Sequence, residues 1–567
     1  MTEGFGTFQV ESPQNGGQCT SAPPEQSKYT VAQLTIQTLE NWGVSQIFGK
    51  SSYSDSGLID ALSDQQDNGG INYYELRQEA TAAFACSAYG KLTGRPAACL
   101  AASGSNASNL LSSLWDANVD RAPVIALTGP LSQLVSAPSV FHEVDHVNAL
   151  GKIAQFSQTV HHNSRHAEIA NLACKSAILN RGVSHLIFSP DIAKKELSKS
   201  SIAGSPTGRL PSQNISPPND ALTEAIQLLR EAERPVIIVG HGARGRMEAV
   251  IQLAEQLRSP VLTTFKGKGL IPDHHPLAGG VLSRSGTSIA NSLMDSSDSL
   301  LVFGASFSPE TGIRDDLPTV QVDYDLKALA RSCAIDVPVW GEIGVTAQAL
   351  SDDFLGDMWT EDQTAAIASH RQDWQQKQAR LAQPHSPHTI HAGPLFNILS
   401  EKVDNDAIIT VDLSSQTAPF GQYFVSQKQT ILLSGHSGSV GFSFPAAMGA
   451  WSATQESEAD LMGRQVVSIS NVAGFKPYLD ELATAVDYQM NITHILLRTE
   501  DEQEGTPAPL AVKNWKQQQS QPQPLLTIVE ESGALSLQAS DSTELAGVLE
   551  QALKHNGPAV VEVITRP

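Results

Sequence analysis

The sequence predicts an α/β protein of three doubly wound parallel-sheet domains. Short runs rich in β-branched residues alternate with stretches whose apolar residues recur at helical spacing. Those short runs are apolar throughout, as strands covered on both faces of a sheet must be. Two polar stretches divide the 567 residues into three segments of similar size.

In the first segment SQIFG, AACLAA, PVIALTG and SHLIFSP read as strands. Between them TVAQLTIQTLENWG, EATAAFACSAYGKLTG and NASNLLSSLWDANVD carry the helical pattern. The middle segment supplies PVIIVG, PVLTT, SLLVFG and TVQVDYD, and the last AIITVD, VVSIS, THILLR and AVVEVI. Residues 195–219, polar and rich in Ser, Pro and Gly, read as one linker. Residues 356–393, where 376–393 hold Gln, His and Pro without apolar alternation, read as the other. The expected plan is an N-terminal extension over 1–27, domains over 28–194, 220–355 and 394–567, and the two linkers between them.

Composition narrows the function classes. Hydrophobic residues at 41% and charged residues at 17% fit an ordinary globular protein. A net charge of −22 argues against a nucleic-acid partner, which needs a concentrated cationic face. The five cysteines are scattered, without metal-ligand spacing, and their odd number argues against a complete disulfide framework. Residues 1–27 hold no apolar stretch resembling a signal peptide. No apolar run reaches the length of about 18 residues that a membrane span needs. The expectation is a cytoplasmic protein with no membrane partner.

The segment from Arg77 to Gly129 contains Glu79-Ala80, a helix ending in Lys91-Leu92-Thr93-Gly94, and Asp120-Arg121-Ala122-Pro123-Val124. It resembles the pyrimidine-binding domain of thiamine-diphosphate enzymes of the pyruvate oxidase and acetolactate synthase type. Phe141-His142-Glu143 resembles that family's Phe-Gln-Glu, and the stretch from Gly435 to Ala450 resembles its diphosphate-domain motif. LIPDHHPLAGG, RSGTSIAN, GASFSPETGI and VQVDYD resemble the central domain, which binds FAD or another nucleotide in several members. These blocks recur in the right order over roughly residues 28 to 567.

The resemblance implies chemistry on 2-oxo acids or acyloins, small molecules whose cleaved or formed C–C bond adjoins a carbonyl. In the family a buried glutamate hydrogen-bonds a ring nitrogen of the cofactor's aminopyrimidine, and the thiazolium ring is the electron sink. Glu79 matches that glutamate; by itself it also fits a helix N-terminal acid facing the macrodipole. Val440 matches the bulky residue that props the cofactor in its bent shape, and would look the same as a core residue. The family places this site between the first domain of one chain and the third of its partner, so a homodimer or homotetramer is expected.

The cofactor contacts depart from the pattern. Magnesium in this family is held by an Asp in Gly-Asp-Gly and by an Asn closing an Asn-Asn pair. Here the turn is Asn471-Val472-Ala473, and Arg498-Thr499 stands at the pair, with the family spacing kept (499 − 472 = 27). Val472 has no side-chain oxygen, whereas magnesium demands near-octahedral oxygen ligands. Thr499 offers one hydroxyl. Glu500, Asp501, Glu502 and Glu504 would repel a diphosphate nearby. Gln78 stands where a His precedes the glutamate, Gly104-Ser105-Asn106 replaces Gly-Pro-Gly, and Gly49-Lys50-Ser51-Ser52 replaces Gly-Ile-Pro-Gly. Arg498 could grip phosphate directly, or pair with the acidic run that follows it. The pattern argues against magnesium and puts thiamine diphosphate itself in question.

The central segment keeps more. Gly240, Gly242 and Arg244 directly follow strand PVIIVG, as phosphate-cradling loops do. Gly280, Arg284 and Gly286 lie where flavin-binding members wrap their cofactor, and Asp323 lies where an adenosine end is met. FAD is a candidate ligand there, with a purely structural packing domain as the alternative.

Overall fold

The computed structural model describes residues 29–51, 56–67, 69–101, 105–129, 145–198, 201–356, 359–381, 390–434, 438–456, 460–499 and 524–566. The expected extension over 1–27 and the acidic residues at 500–504 lie outside them. The chain forms two compact units, one of residues 1–211 with 452–462, the other of 212–451 with 463–567.

The first unit carries six parallel strands in the order Asn72–Glu75, Gln46–Gly49, Ala97–Ala101, Val124–Thr128, Val183–Ile187, Phe156–Thr159. The helix Glu79–Thr93 is buried over most of its length, so its sequence is Ala-rich and apolar on every side. It stops where Gly94 turns left-handed at φ 69°, a conformation glycine adopts without strain. Near its end, buried Lys91 places Nζ 2.7 Å from both Asp116 and Asp120. Glu456, from the 452–462 stretch of this unit, accepts hydrogen bonds from Ser45 (2.6 Å), Gln46 (2.7 Å) and Tyr89 (2.8 Å) and pairs with Arg95.

The second unit holds two sheets. The central one runs Val337–Trp340, Thr319–Asp323, Ser299–Phe303, Pro235–Val239, Val261–Thr263, Ala278–Val281, all parallel. The other runs Ile390–His391, Ala559–Arg566, Ile492–Thr499, Val466–Asn471, Ile408–Val411, Thr430–Leu433, with Leu535–Ala539 also pairing Ala559–Arg566. The three parallel α/β domains expected from the sequence are present, and every strand read there forms. The strands not read are those at sheet edges, together with Leu535–Ala539. Most are short and half-exposed, so they lack the continuous apolar run of a central strand. The stretch 356–393, expected as a linker, contains the helix Thr364–Leu381.

In the last sheet, Asp412, Asn471 and Thr499 stand at the carboxyl ends of three adjacent parallel strands, at one edge of the sheet. Ligands of open α/β sheets collect at that edge.

Candidate cofactor site

Glu79 opens its helix after extended Gln78, whose side chain makes no capping bond to the helix. The helix packs deep enough that Glu79 is only 4% exposed. One carboxylate oxygen accepts from Asn109 Nδ2 at 3.1 Å; the other is buried with no hydrogen-bond partner among the described residues. Glu79 also stands in the first turn of its helix, where an acid faces the macrodipole. An orphaned buried acceptor is a place for a ligand N–H. Asn106 sits half-buried in the short helix Ser105–Ser108 just before Asn109. Gly104 and His142 lie outside the described residues.

In the last domain, Asp412 is 1% exposed. Its carboxylate accepts from the backbone N–H of Gly441 (3.0 Å) and Ser443 (2.8 Å). Burial pushes its pKa up to about 6, against those N–H groups, which favour the charged form. Gly474 crosses directly over it; a Cβ there would lie 2.0 Å from Asp412 Oδ2. Val440, next to this cradle, is 54% exposed, which removes the core-residue reading for it in the single chain.

At the turn, Asn471 caps the short helix Val472–Phe475 by accepting from the Gly474 N–H at 2.9 Å. Val472 stands half-buried as the first residue of that helix, with only carbon on its side chain. Beneath, buried His494 bridges Ser468 (Nδ1, 2.9 Å) and Ser470 (Nε2, 3.1 Å), and Ser470 donates onward to the Asn471 carbonyl at 3.0 Å. Because Ser470 gives its proton to that carbonyl, Nε2 must be the donor and Nδ1 the acceptor. Burial drops the His494 pKa to about 3, so the ring is neutral. It also stacks on Phe475 at 4.2 Å.

Arg498 is clamped two-pronged by Glu562 on the neighbouring strand, Nε–Oε1 at 2.8 Å and Nη2–Oε2 at 3.3 Å. Among the described residues its partner is Glu562; the acidic run expected to pair with it lies outside them. Thr499 ends the same strand, half-buried.

In the central domain the glycines meet protein backbone. A Cβ on Gly240 would lie 2.3 Å from the Gly304 carbonyl, and one on Gly242 2.8 Å from Gly304 Cα. Gly280 has φ +83° and faces Thr287. Gly286 closes a turn on Ser283, and its carbonyl accepts from Gln422 at 3.1 Å. Arg244 donates to the Ile431 carbonyl at 2.7 Å, and Arg284 is exposed. Asp323 is buried, accepting from the Asp325 N–H at 2.8 Å within its own turn.

Sequence reasoning did not single out Asn109, Asp412 or His494. Asp412 ends the strand-like run AIITVD, and an acid closing a buried parallel strand is a detectable signal. His494 and Asn109 had none, because their partners are set by strand register and helix packing.

The Glu79 pocket and the Asn471 turn occupy domains that family models recognise. The description "Thiamine pyrophosphate enzyme, N-terminal TPP binding domain" matches 29–149, the central-domain description matches 222–350, and the C-terminal TPP binding domain matches 414–563. The chain belongs to the thiamine pyrophosphate enzyme family. Among its relatives is the putative thiamine pyrophosphate-containing protein YdaP of Bacillus subtilis, 26% identical over 549 residues, covering 94% of this chain and 91% of the relative. A probable acetolactate synthase large subunit of Methanocaldococcus jannaschii is 28% identical over 486 residues, covering 81% and 78%. A pyruvate oxidase of Lactiplantibacillus plantarum is 23% identical over 495 residues, covering 85% and 80%. Among the described residues, no helix is long and apolar enough to cross a membrane.

Proposed function

We propose that this chain is an enzyme of 2-oxo-acid or acyloin chemistry whose cofactor site works without magnesium. The observation that carries the enzymatic reading is Glu79, a buried carboxylate with one oxygen fixed by Asn109 and the other buried without a partner among the described residues. When bound, a thiamine-type cofactor supplies the electron sink for cleaving or forming a C–C bond beside a carbonyl. Glu79 would hold the proton shared with the aminopyrimidine ring nitrogen, Asn109 would keep the carboxylate aimed, and Val440 would prop the cofactor's bend. A second copy of the chain would complete the site, making a homodimer or homotetramer the working form.

The magnesium-free reading rests on the donor set. Val472 offers no oxygen, and the Asn471 amide oxygen is occupied by the Gly474 N–H. Calorimetric titration of the full chain with thiamine diphosphate, with and without magnesium, tests the proposal. Heat of binding that is the same in both is the expected result; binding that requires magnesium would defeat the metal-free site.

Occupation of Arg498 by Glu562 favours a second reading, a non-catalytic family member acting as a regulatory or partner subunit. Turnover of pyruvate or acetoin by the purified protein separates the two. A flavin in the central domain is a further proposal, checked by the visible spectrum of the purified protein. The glycines at 240 and 242, packed on Gly304, are equally accounted for by folding alone.

A further inference from the structure

The geometry points to a ligand that this chain recognises by its aminopyrimidine–thiazolium body and not by its phosphates: thiamine and its monophosphate bind about as well as the diphosphate. The inference rests on the cofactor reading above and deepens it.

At the turn, several donors near a phosphate tail's place are already used among the described residues. The Gly474 N–H is held by Asn471 Oδ1 at 2.9 Å. The N–H groups of Gly441 and Ser443 converge on the Asp412 carboxylate, at 3.0 and 2.8 Å. The Arg498 guanidinium presents two N–H groups to Glu562, whose side chain is 3% exposed. Turning that guanidinium toward a phosphate would strand a buried carboxylate, and removing one partner from a buried pair is strongly destabilising. The carboxylate of Asp412 would itself repel an added anion. A bridging cation could offset all this, but Val472 puts an isopropyl group where its ligand would stand. The turn is moreover held from beneath by the Ser468–His494–Ser470 chain and the Phe475 stack, so it has no need of an ion to keep its shape.

The pyrimidine half is the reverse case. Glu79 is buried, one oxygen is tied to Asn109, and the other lacks a donor among the described residues. A buried unsatisfied acceptor is costly, and an N–H from a ligand relieves that cost. The recognition energy is therefore concentrated at the ring end, common to thiamine and its mono- and diphosphate.

Equilibrium titration of the full chain with each of the three, followed by tryptophan fluorescence with and without magnesium, tests this. The expected result is three dissociation constants within about tenfold of one another, the equivalent of 1.4 kcal/mol, and unmoved by magnesium. Glu79→Gln should weaken all three alike. Val472→Asp should make the diphosphate alone magnesium-responsive, with manganese retention seen by electron paramagnetic resonance. A diphosphate preference of about 100-fold or more without magnesium would overturn this inference and leave the metal-free enzyme standing. A preference that appears only with magnesium would overturn both. No binding of any of the three would overturn the inference and move the chain to the non-catalytic reading.

Discussion

Replacing Lys91 by Met should be among the most damaging single changes in the first domain. Lys91 Nζ lies 2.7 Å from Asp116 and 2.7 Å from Asp120, with all three side chains at 1% exposure or less. Burial disfavours the lysine charge, but the two carboxylates outweigh it and hold the pKa above the ordinary lysine value. A raised lysine pKa means its contribution is complete at any pH below that ordinary value and is lost only in strong alkali. The effect should thus be flat across the neutral range. Methionine keeps the stem's volume, so the loss is electrostatic and leaves no cavity. Ser87, donating to Asp116 at 2.7 Å, remains a partner to one acid only. Losing the cation of a buried pair costs about 3–5 kcal/mol. Hydrogen exchange over the helix Glu79–Thr93 reads this as opening that is about 10²- to 10³-fold more frequent. The triple change Lys91→Met, Asp116→Asn, Asp120→Asn should recover most of the loss. A single variant costing under about 1 kcal/mol, or a triple variant no better than the single, would refute the reasoning.

Gly474→Ala should destabilise the last domain by about 1–3 kcal/mol in chemical denaturation, because its Cβ would lie 2.0 Å from Asp412 Oδ2. Arg498→Met should lower stability by about 3–5 kcal/mol, since among the described residues Glu562 would keep Gln538 alone, at 2.6 Å, yet leave thiamine affinity unchanged in the same fluorescence titration. Titration should act oppositely at two neighbouring groups. The depressed pKa of His494, about 3, gives stability that is present above the ordinary histidine value and lost as pH falls. The raised pKa of Asp412, about 6, gives stability that is present in acid and lost as pH rises through that value. Between pH ~4 and ~6 the two terms offset, each near 1.4 kcal/mol per unit, so the wild-type denaturation midpoint should vary little there through them. Asp412→Asn should unmask an acid loss of about that slope, and a variant whose midpoint stays flat would count against both assignments.

The sequence by itself determined the three domains, their order, and which strands lie at sheet centres, because periodicity and continuous apolar runs are local consequences of burial. It also determined the chemistry that the turn lacks: Val472 has no oxygen in any conformation. Only the tertiary structure decided how the polar side chains are paired. Parallel register sets Glu562, 64 residues away, beside Arg498, a pairing that residue order does not suggest. Glycines 240 and 242 look like a phosphate loop in sequence, whereas the fold brings the Gly304 backbone against them. Glu456 finds Tyr89 across 367 residues, and Asn109 reaches the Glu79 carboxylate from another helix. The physical reason is that a hydrogen bond is directional and short-ranged. Its partners follow from the meeting of distant elements, which residue order constrains only through the whole fold.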